Sequence, residues 1–459
     1  EAGLVKGWSR TNLTFSLPLL NNFKAKRIKF SASSRIVNAK MPRNPLKRPV
    51  ESGNFDLHVD PNGLSLTGKA SVNGSVLGLT WKENFETNKS NVRQILIKGK
   101  IDERLQGQFL EGLKLSPYIN GPIDLDFSLS EKRSGVKEIA AKVVLKETTL
   151  NIPTLNWYKK TGDPGVGWVS AIIKNSGALE IKNLDVRAKD FYGKTSFWLD
   201  KDRNLLSAII HKLKRGRSDV SGFIKRGDEF GYNVFLKGSS LDLVPLLSRL
   251  KEVKEEENLP NFNLKTEVDT IWLDRKVPVY GVTGNLRYVS GLVEKADLRG
   301  VLSKDHPFSL VIDTVSENQN LILRARNAGR IFNILELTDT FQGGNLNLKA
   351  SRTKLKTSPW KGRLTVDDYT VVKAPVLARM LTLASLTGIL NRLTGKGIKF
   401  RKLDIPFIYF KGRTKIQNAR AIGDALGLTA DGYLNLFKKT ADLKGTIVPD
   451  NPINNVLRK

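Results

Sequence analysis

The sequence predicts a mainly β chain: a long, twisted antiparallel sheet bent into a taco-like groove, with a few short amphipathic helices. Three observations predict it. Apolar and polar residues alternate with period two in segment after segment, Gly-, Asn- and Asp-rich turns separate the segments, and helical periodicity is confined to three short stretches.

The alternation starts at Phe55-Asp56-Leu57-His58-Val59-Asp60 and resumes after the turn Pro61-Asn62-Gly63 with Leu64-Ser65-Leu66-Thr67. It returns at Ile95–Ile101, Ile123–Leu129, Tyr232–Lys237, Leu346–Ala350, Leu426–Ala430 and Tyr433–Leu436. Successive strand side chains point to opposite faces, so each segment presents one apolar face. The links are too short for parallel crossovers, so the segments are expected to pair as antiparallel meanders.

Three stretches carry helical spacing. The first is Leu241–Leu250, leading into a Lys/Glu run that ends near Asn258-Leu259-Pro260; Ser239 or Ser240 is placed to cap it, and Pro245 suits its first turn. The second is Arg330–Leu337. The longest runs from Pro375 to about Leu393, with Gly395 beyond its end and an apolar face of Leu377, Met380, Leu381, Ala384, Leu390 and Leu393. So few helices cannot cover so many strands. The sheet must curl on itself or leave an apolar trough for something else to fill. Four segments are expected within one continuous groove: 1–130, 131–260 ending in a short helix, 261–370 with another, and 371–459 with the longest helix and the closing strands.

The chain has 459 residues, no cysteine and a net charge of +30. Absence of cysteine removes disulfides, thiol nucleophiles and cysteine-based zinc sites. His58, His211 and His306 lie far apart, and none stands at the spacing of paired helix ligands. The positive charge favours anionic partners, although it also serves to solvate a large β protein. Its densest cluster, His211–Arg217, reads as a turn. Gly165-Val166-Gly167-Trp168-Val169-Ser170 lacks the strand-Gly-helix frame of a nucleotide loop and reads as a plain turn. Asp367 and Asp368 are adjacent; on a strand they would point to opposite faces and could not share a proton, and a turn is expected there. The seven tryptophans are dispersed and surrounded by no RNA-binding motif, so packing, not nucleic-acid binding, is expected of them. No catalytic, metal or cofactor constellation stands out, and the chain reads as non-enzymatic. No stretch reaches the roughly 18–20 apolar residues of a membrane-spanning helix, and no signal peptide opens the chain. It reads as a fragment with any anchor outside it.

The C-terminal third holds more specific words. Lys373–Leu390, Gly395-Lys396-Gly397-Ile398-Lys399-Phe400, Ile405-Pro406-Phe407, Ala419–Gly432 and Leu443–Pro449 follow one another in an order that resembles the C-terminal part of the AsmA-like family, of the YhdP type. Similar but sparser matches lie at Leu155–Gly165, Lys237–Leu247, and Ala325–Arg330 with Gly343–Leu346. The resemblance implies a bridge-like lipid transporter of the bacterial envelope. Such a protein would stand in the periplasm, anchored to the inner membrane by a segment outside this chain. It would conduct phospholipid between inner and outer membranes, and the chain's own basic residues would favour anionic head groups.

On that expectation the apolar track is assigned to Leu346, Leu348, Leu364, Val366, Phe407, Leu426 and Leu428. Leu377, Leu381 and Leu390 of the longest helix are assigned to a cap or gate. The alternative is a structural or assembly factor of outer-membrane biogenesis that binds protein partners at an exposed strand edge.

Overall fold

The structure is a computed structural model. It describes residues 6–16, 29–41, 49–103, 117–227, 231–245, 247, 259–355, 357–383, 389–390, 393 and 396–449. The chain divides into two compact units, Glu1–Lys225 and Arg226–Lys459, where the sequence suggested four segments.

The first unit is built from β1 (Lys6–Ser16), β2 (Lys29–Lys40), β3 (Ser52–Asp60), β4 (Gly63–Val72), β5 (Ser75–Asn84), β6 (Asn91–Ile101), β7 (Ile119–Asn120), β8 (Ile123–Lys132), β9 (Lys137–Val144), β10 (Thr149–Ile152), β11 (Trp157–Lys159), β12 (Gly165–Ile173), β13 (Leu179–Ala188), β14 (Phe191–Leu199), β15 (Leu205–Arg215) and β16 (Ser218–Arg226). Nearly every strand pairs antiparallel with its neighbour in sequence. The exceptions skip a small separate sheet: β6 pairs β8 past β7, and β9 pairs β12 past β10 and β11. The tight turns follow from local chemistry. Asp60 Oδ1 accepts from the amides of Asn62 and Gly63 at 2.7 and 2.9 Å, closing the β3–β4 hairpin. Asn73 and Gly74, at φ 49° and 83°, supply the left-handed pair that a two-residue β4–β5 loop requires.

Register aligns the apolar positions into rows across the strands. One row runs Leu57, Leu66, Trp81, Ile95, Leu129, Ile139, Ala171, Ile181 and Phe197. Ala171 and Ile181 are buried, and the other seven are only half-buried. The opposite face carries charge, as in the Lys98–Asp126 pair at 2.8 Å.

The small sheet of β7, β10 and β11 packs Leu150 and Trp157 against Ile123 and Leu145, and Trp157 stacks on Phe191 at 4.4 Å. Beside it Lys159 is 1% exposed, its Nζ donating to the carbonyls of Thr148 (2.7 Å) and Lys160 (3.1 Å). Burial pushes its pKa below the ordinary lysine value, and Asp163 opposes that shift. A base whose folded pKa is depressed binds fewer protons in the native than in the unfolded state between the two values. Stability therefore rises with pH across that window. Amide protection in β10 and β11, corrected for intrinsic exchange, should increase as pH climbs toward the ordinary lysine range, and the increase should vanish in Lys159→Met. A flat profile in the unaltered chain would remove Lys159 as the cause.

The second unit holds β17 (Tyr232–Asp242), β18 (Phe262–Trp272), β19 (Pro278–Val289), β20 (Leu292–Ser303), β21 (His306–Val315), β22 (Asn318–Ala325), α1 (Ala328–Ile334), β23 (Phe341–Thr353), β24 (Trp360–Val371), α2 (Pro375–Leu383), β25 (Ile398–Phe410), β26 (Arg413–Gly423), β27 (Leu426–Asn435) and β28 (Thr440–Pro449). From β18 to β28 the strands form one antiparallel meander in sequence order. The chain is thus mainly β, its sheet open and mostly antiparallel, with two short α-helices among the described residues. One pair departs from the expected meander: β17 and β18 run parallel. The connection from 243 to 261 is long enough for the crossover that short links forbid.

Several local expectations are corrected. Leu241 and Asp242 end β17 and do not open a helix; the Leu243 amide donates to the Trp272 carbonyl at 2.9 Å, Val244, Pro245 and Leu247 are helical, and residues 246 and 248–250 lie outside the described residues. Asp242 Oδ1, not Ser239 or Ser240, accepts from the Val244 amide at 3.1 Å; Ser240 lies in β17, where its hydroxyl accepts from Trp272 Nε1. The second helix begins two residues earlier than expected, because Asn327 Oδ1 accepts from the Arg330 amide at 3.0 Å and caps it. Gly165–Ser170 lies in β12 and most of His211–Arg217 in β15. Asp367 and Asp368 lie in β24, where Asp368 at φ 55° marks a local irregularity.

The main core of the second unit gathers where the two helices meet the sheet. Leu302, Val366, Leu381 and Leu426 are 0% exposed there. Two glycines let α1 approach: a Cβ on Gly329 would meet the Phe341 carbonyl oxygen at 2.2 Å, and one on Gly344, at φ 87°, would meet Val366 Cγ1 at 2.6 Å.

Candidate functional site

Helix covers only part of the apolar face of the second unit, with α1 packing on β23 and β24. Register sets out three successive rows. The first is Ala325–Leu346–Val366–Leu403–Ala421–Leu428, the next Leu323–Leu348–Leu364–Ile405, and the third Leu321–Ala350–Gly362–Phe407–Ile416. Leu346 and Val366 in the first row are 3% and 0% exposed, in the core where α1 packs on β23 and β24. The second and third rows run out from under that cover and floor a cavity of about 680 Å³.

One wall of the cavity is α1 and the segment after it, through Ile331, Phe332, Leu335 and Leu337. Another is the tip of the β27–β28 hairpin, through Leu434, Leu436 and Ala441. Phe341 closes an aromatic ladder at the helix side: it meets Phe332 edge-on at 5.1 Å and stacks on Tyr369 at 4.9 Å, which stacks on Phe400 at 5.1 Å. Burial raises the Tyr369 phenol above its ordinary pKa. Of the described residues that line the cavity, Glu336 and Lys439 carry charge. They meet each other: Lys439 Nζ donates to Glu336 Oε2 at 2.9 Å, joining the segment after α1 to the β27–β28 turn.

The residues assigned from sequence to an apolar track fall in two places. Leu348, Leu364 and Phe407 line the cavity, and Leu346 lines it from the core side. Val366 and Leu426 lie wholly within the core, and Leu428 packs against it. Of the assigned cap residues, Leu381 is fully buried, and Leu377 and Leu390 pack against the same cluster. The α2 face therefore rests on the core. Met380 and Ala384 fall outside the side chains and residues described.

Sequence reading missed most of the lining. Leu403 and Ile405 continue the alternation that holds Phe407, and Leu321 and Leu323 belong to an equally regular strand. Extending each alternating run to its ends would have found them. Nothing in a linear reading links Glu336 with Lys439, 103 residues apart.

The three histidines have local partners. His58 Nδ1 lies 3.0 Å from Ser33 Oγ, His211 Nε2 lies 2.8 Å from Ser196 Oγ, and His306 Nδ1 donates to the Lys304 carbonyl at 2.8 Å. Among the described residues no group of three His, Asp or Glu side chains is placed to hold a metal ion. No helix among them is long and apolar enough to cross a membrane.

Comparison of the chain with protein-family models, with curated proteins and with solved structures found no match.

Proposed function

We propose that this chain binds the hydrocarbon of lipids along the apolar face of its sheet, without catalysis, and that it conducts phospholipid between the inner and outer membranes of a bacterial envelope as a periplasmic, AsmA-like protein. The observation that carries this reading is the cavity floored by Leu348, Leu364 and Phe407, apolar on nearly every side and not filled by the chain's own side chains. The space opens to solvent, so its apolar lining faces water when empty, and covering it with hydrocarbon is favourable. Burial of each methylene contributes roughly 0.8 kcal/mol, and the half-buried rows of the first unit offer more surface of the same kind. The path and the membranes rest on the family resemblance.

Lipid extraction of the purified chain followed by mass spectrometry tests the binding. Co-purifying phospholipid, close to stoichiometric and resistant to gel filtration, is the expected result. Protein that emerges free of lipid, and takes none from vesicles, would end the reading.

A second reading has its own observation. β28 pairs with β27 on one side, has no partner strand on the other among the described residues, and is exposed along nearly all its length. Such an edge accepts an added strand from another protein, as an assembly factor of the outer membrane would require. A strand-register cross-link from β28 to a partner, with no lipid bound, would favour it.

A further inference from the structure

The cavity has a polar end, and its polar groups stand in a definite order. At the mouth is the Lys439–Glu336 pair, with side chains 63% and 54% exposed. Lys438 is next in the same turn. The adjacent β25–β26 turn is tied in by the Leu436 amide donating to the Gly412 carbonyl at 2.8 Å; its Lys411 and Arg413 pack over Phe410 and Tyr433 and do not line the cavity. The facing segment after α1 contributes Glu336 and Asp339. Thr414 lines the cavity and is 9% exposed; its hydroxyl oxygen is closed to solvent and has no hydrogen-bond partner among the described residues. Register fixes the spacing. Arg413, Asn435 and Thr440 share one row, and Thr414, Leu434 and Ala441 share the next row inward. Thr414 therefore lies about two residue steps inside Lys439, and below it come Phe407 and Ile416.

A cation at the rim, an unsatisfied hydroxyl just inside and hydrocarbon walls beyond match the order of groups along a glycerophospholipid: phosphate, ester carbonyl, acyl chain. We propose that the mouth is a headgroup site, in which Lys439 takes the lipid phosphate in exchange for Glu336 and the Thr414 hydroxyl donates to an ester carbonyl. The proposal rests on the lipid-binding reading and adds which residues set its selectivity. An ion pair this exposed is weakly held, so an anionic head displaces Glu336 at little cost. A buried hydroxyl left without an acceptor is the costly group, and the ester satisfies it. Glu336 acts as a resident counter-ion to Lys439 when the mouth is empty and disfavours weak anionic competitors.

The test loads the full chain from vesicles of phosphatidylglycerol and phosphatidylcholine in equal amounts, re-isolates it and measures bound lipid by mass spectrometry. Glu336→Gln should raise the bound phosphatidylglycerol-to-phosphatidylcholine ratio roughly two- to fivefold, the span of an exposed ion pair. Lys439→Gln should lower it by a similar factor with total lipid unchanged. Thr414→Val should weaken retention of ester-linked phosphatidylglycerol but not of its ether-linked analogue. Sodium oleate as sole probe separates the sources: retention of oleate in place of phosphatidylglycerol would overturn a glycerophospholipid site in favour of a fatty-acid carboxylate. Unchanged ratios in the two charge variants, with the parent chain well loaded, would overturn the headgroup site while leaving lipid binding intact. Failure of the parent chain to load from any vesicle would sink both.

Discussion

Replacing Leu348 by glutamate should strip lipid from the chain while leaving its sheet in place. Leu348 is half-buried on β23 and lies opposite Leu364 of β24, in the row that floors the cavity. Roughly eight methylenes held against that floor would contribute about 6 kcal/mol at about 0.8 kcal/mol each. A carboxylate in their midst must either be desolvated, at a cost of several kcal/mol, or draw water into the cavity. Both routes remove most of the gain, so lipid per chain should fall at least tenfold. Circular dichroism should keep its β signature, because the side chain can reach the open cavity. Leu348→Met, which preserves volume and apolarity, should bind as the parent does. Normal loading of Leu348→Glu would mean that hydrocarbon does not lie on this row.

The second large effect is on stability. Leu381 of α2 is fully buried in the cluster that includes Val366, Leu393, Phe400 and Leu426. Leu381→Ala removes a side chain that neighbours cannot readily replace, and such truncations cost about 2–5 kcal/mol. The loss should appear as a lower urea midpoint for the second unit, followed by hydrogen exchange in β24 and β25, with exchange in β3–β6 unchanged. A loss below about 1 kcal/mol would mean that α2 is not the lid of this core.

What could be read in the linear chain, and what could not, follows from the range of the interactions. Alternation and turn chemistry are local, so Phe55–Val59, Asn62-Gly63 and Leu346–Ala350 disclosed strands and turns. Helix boundaries were less legible: Asn327 caps α1 so that the helix starts two residues before the expected Arg330, and Asp242 displaced the serines as the acceptor before Val244. The parallel β17–β18 pair was hidden because it depends on a long connection and not on either strand's pattern. At the candidate site, alternation marked Leu348, Leu364 and Phe407 as sharing an apolar face. It could not separate them from Val366 and Leu426, whose identical chemistry lies in the closed core. Only register and the path of α1 tell floor from core.

The sequential pairing of β1 through β6, and again of β18 through β28, bears on how such a sheet is made. Each new strand needs only the one just laid down, so loop-closure entropy stays small at every addition. Assembly can zip forward as the polypeptide emerges, with no distant segment to await. The same arithmetic makes length evolvable in increments of a hairpin: gain or loss of two strands restores both chain direction and the greasy side, whereas a single strand would send the remainder back the wrong way.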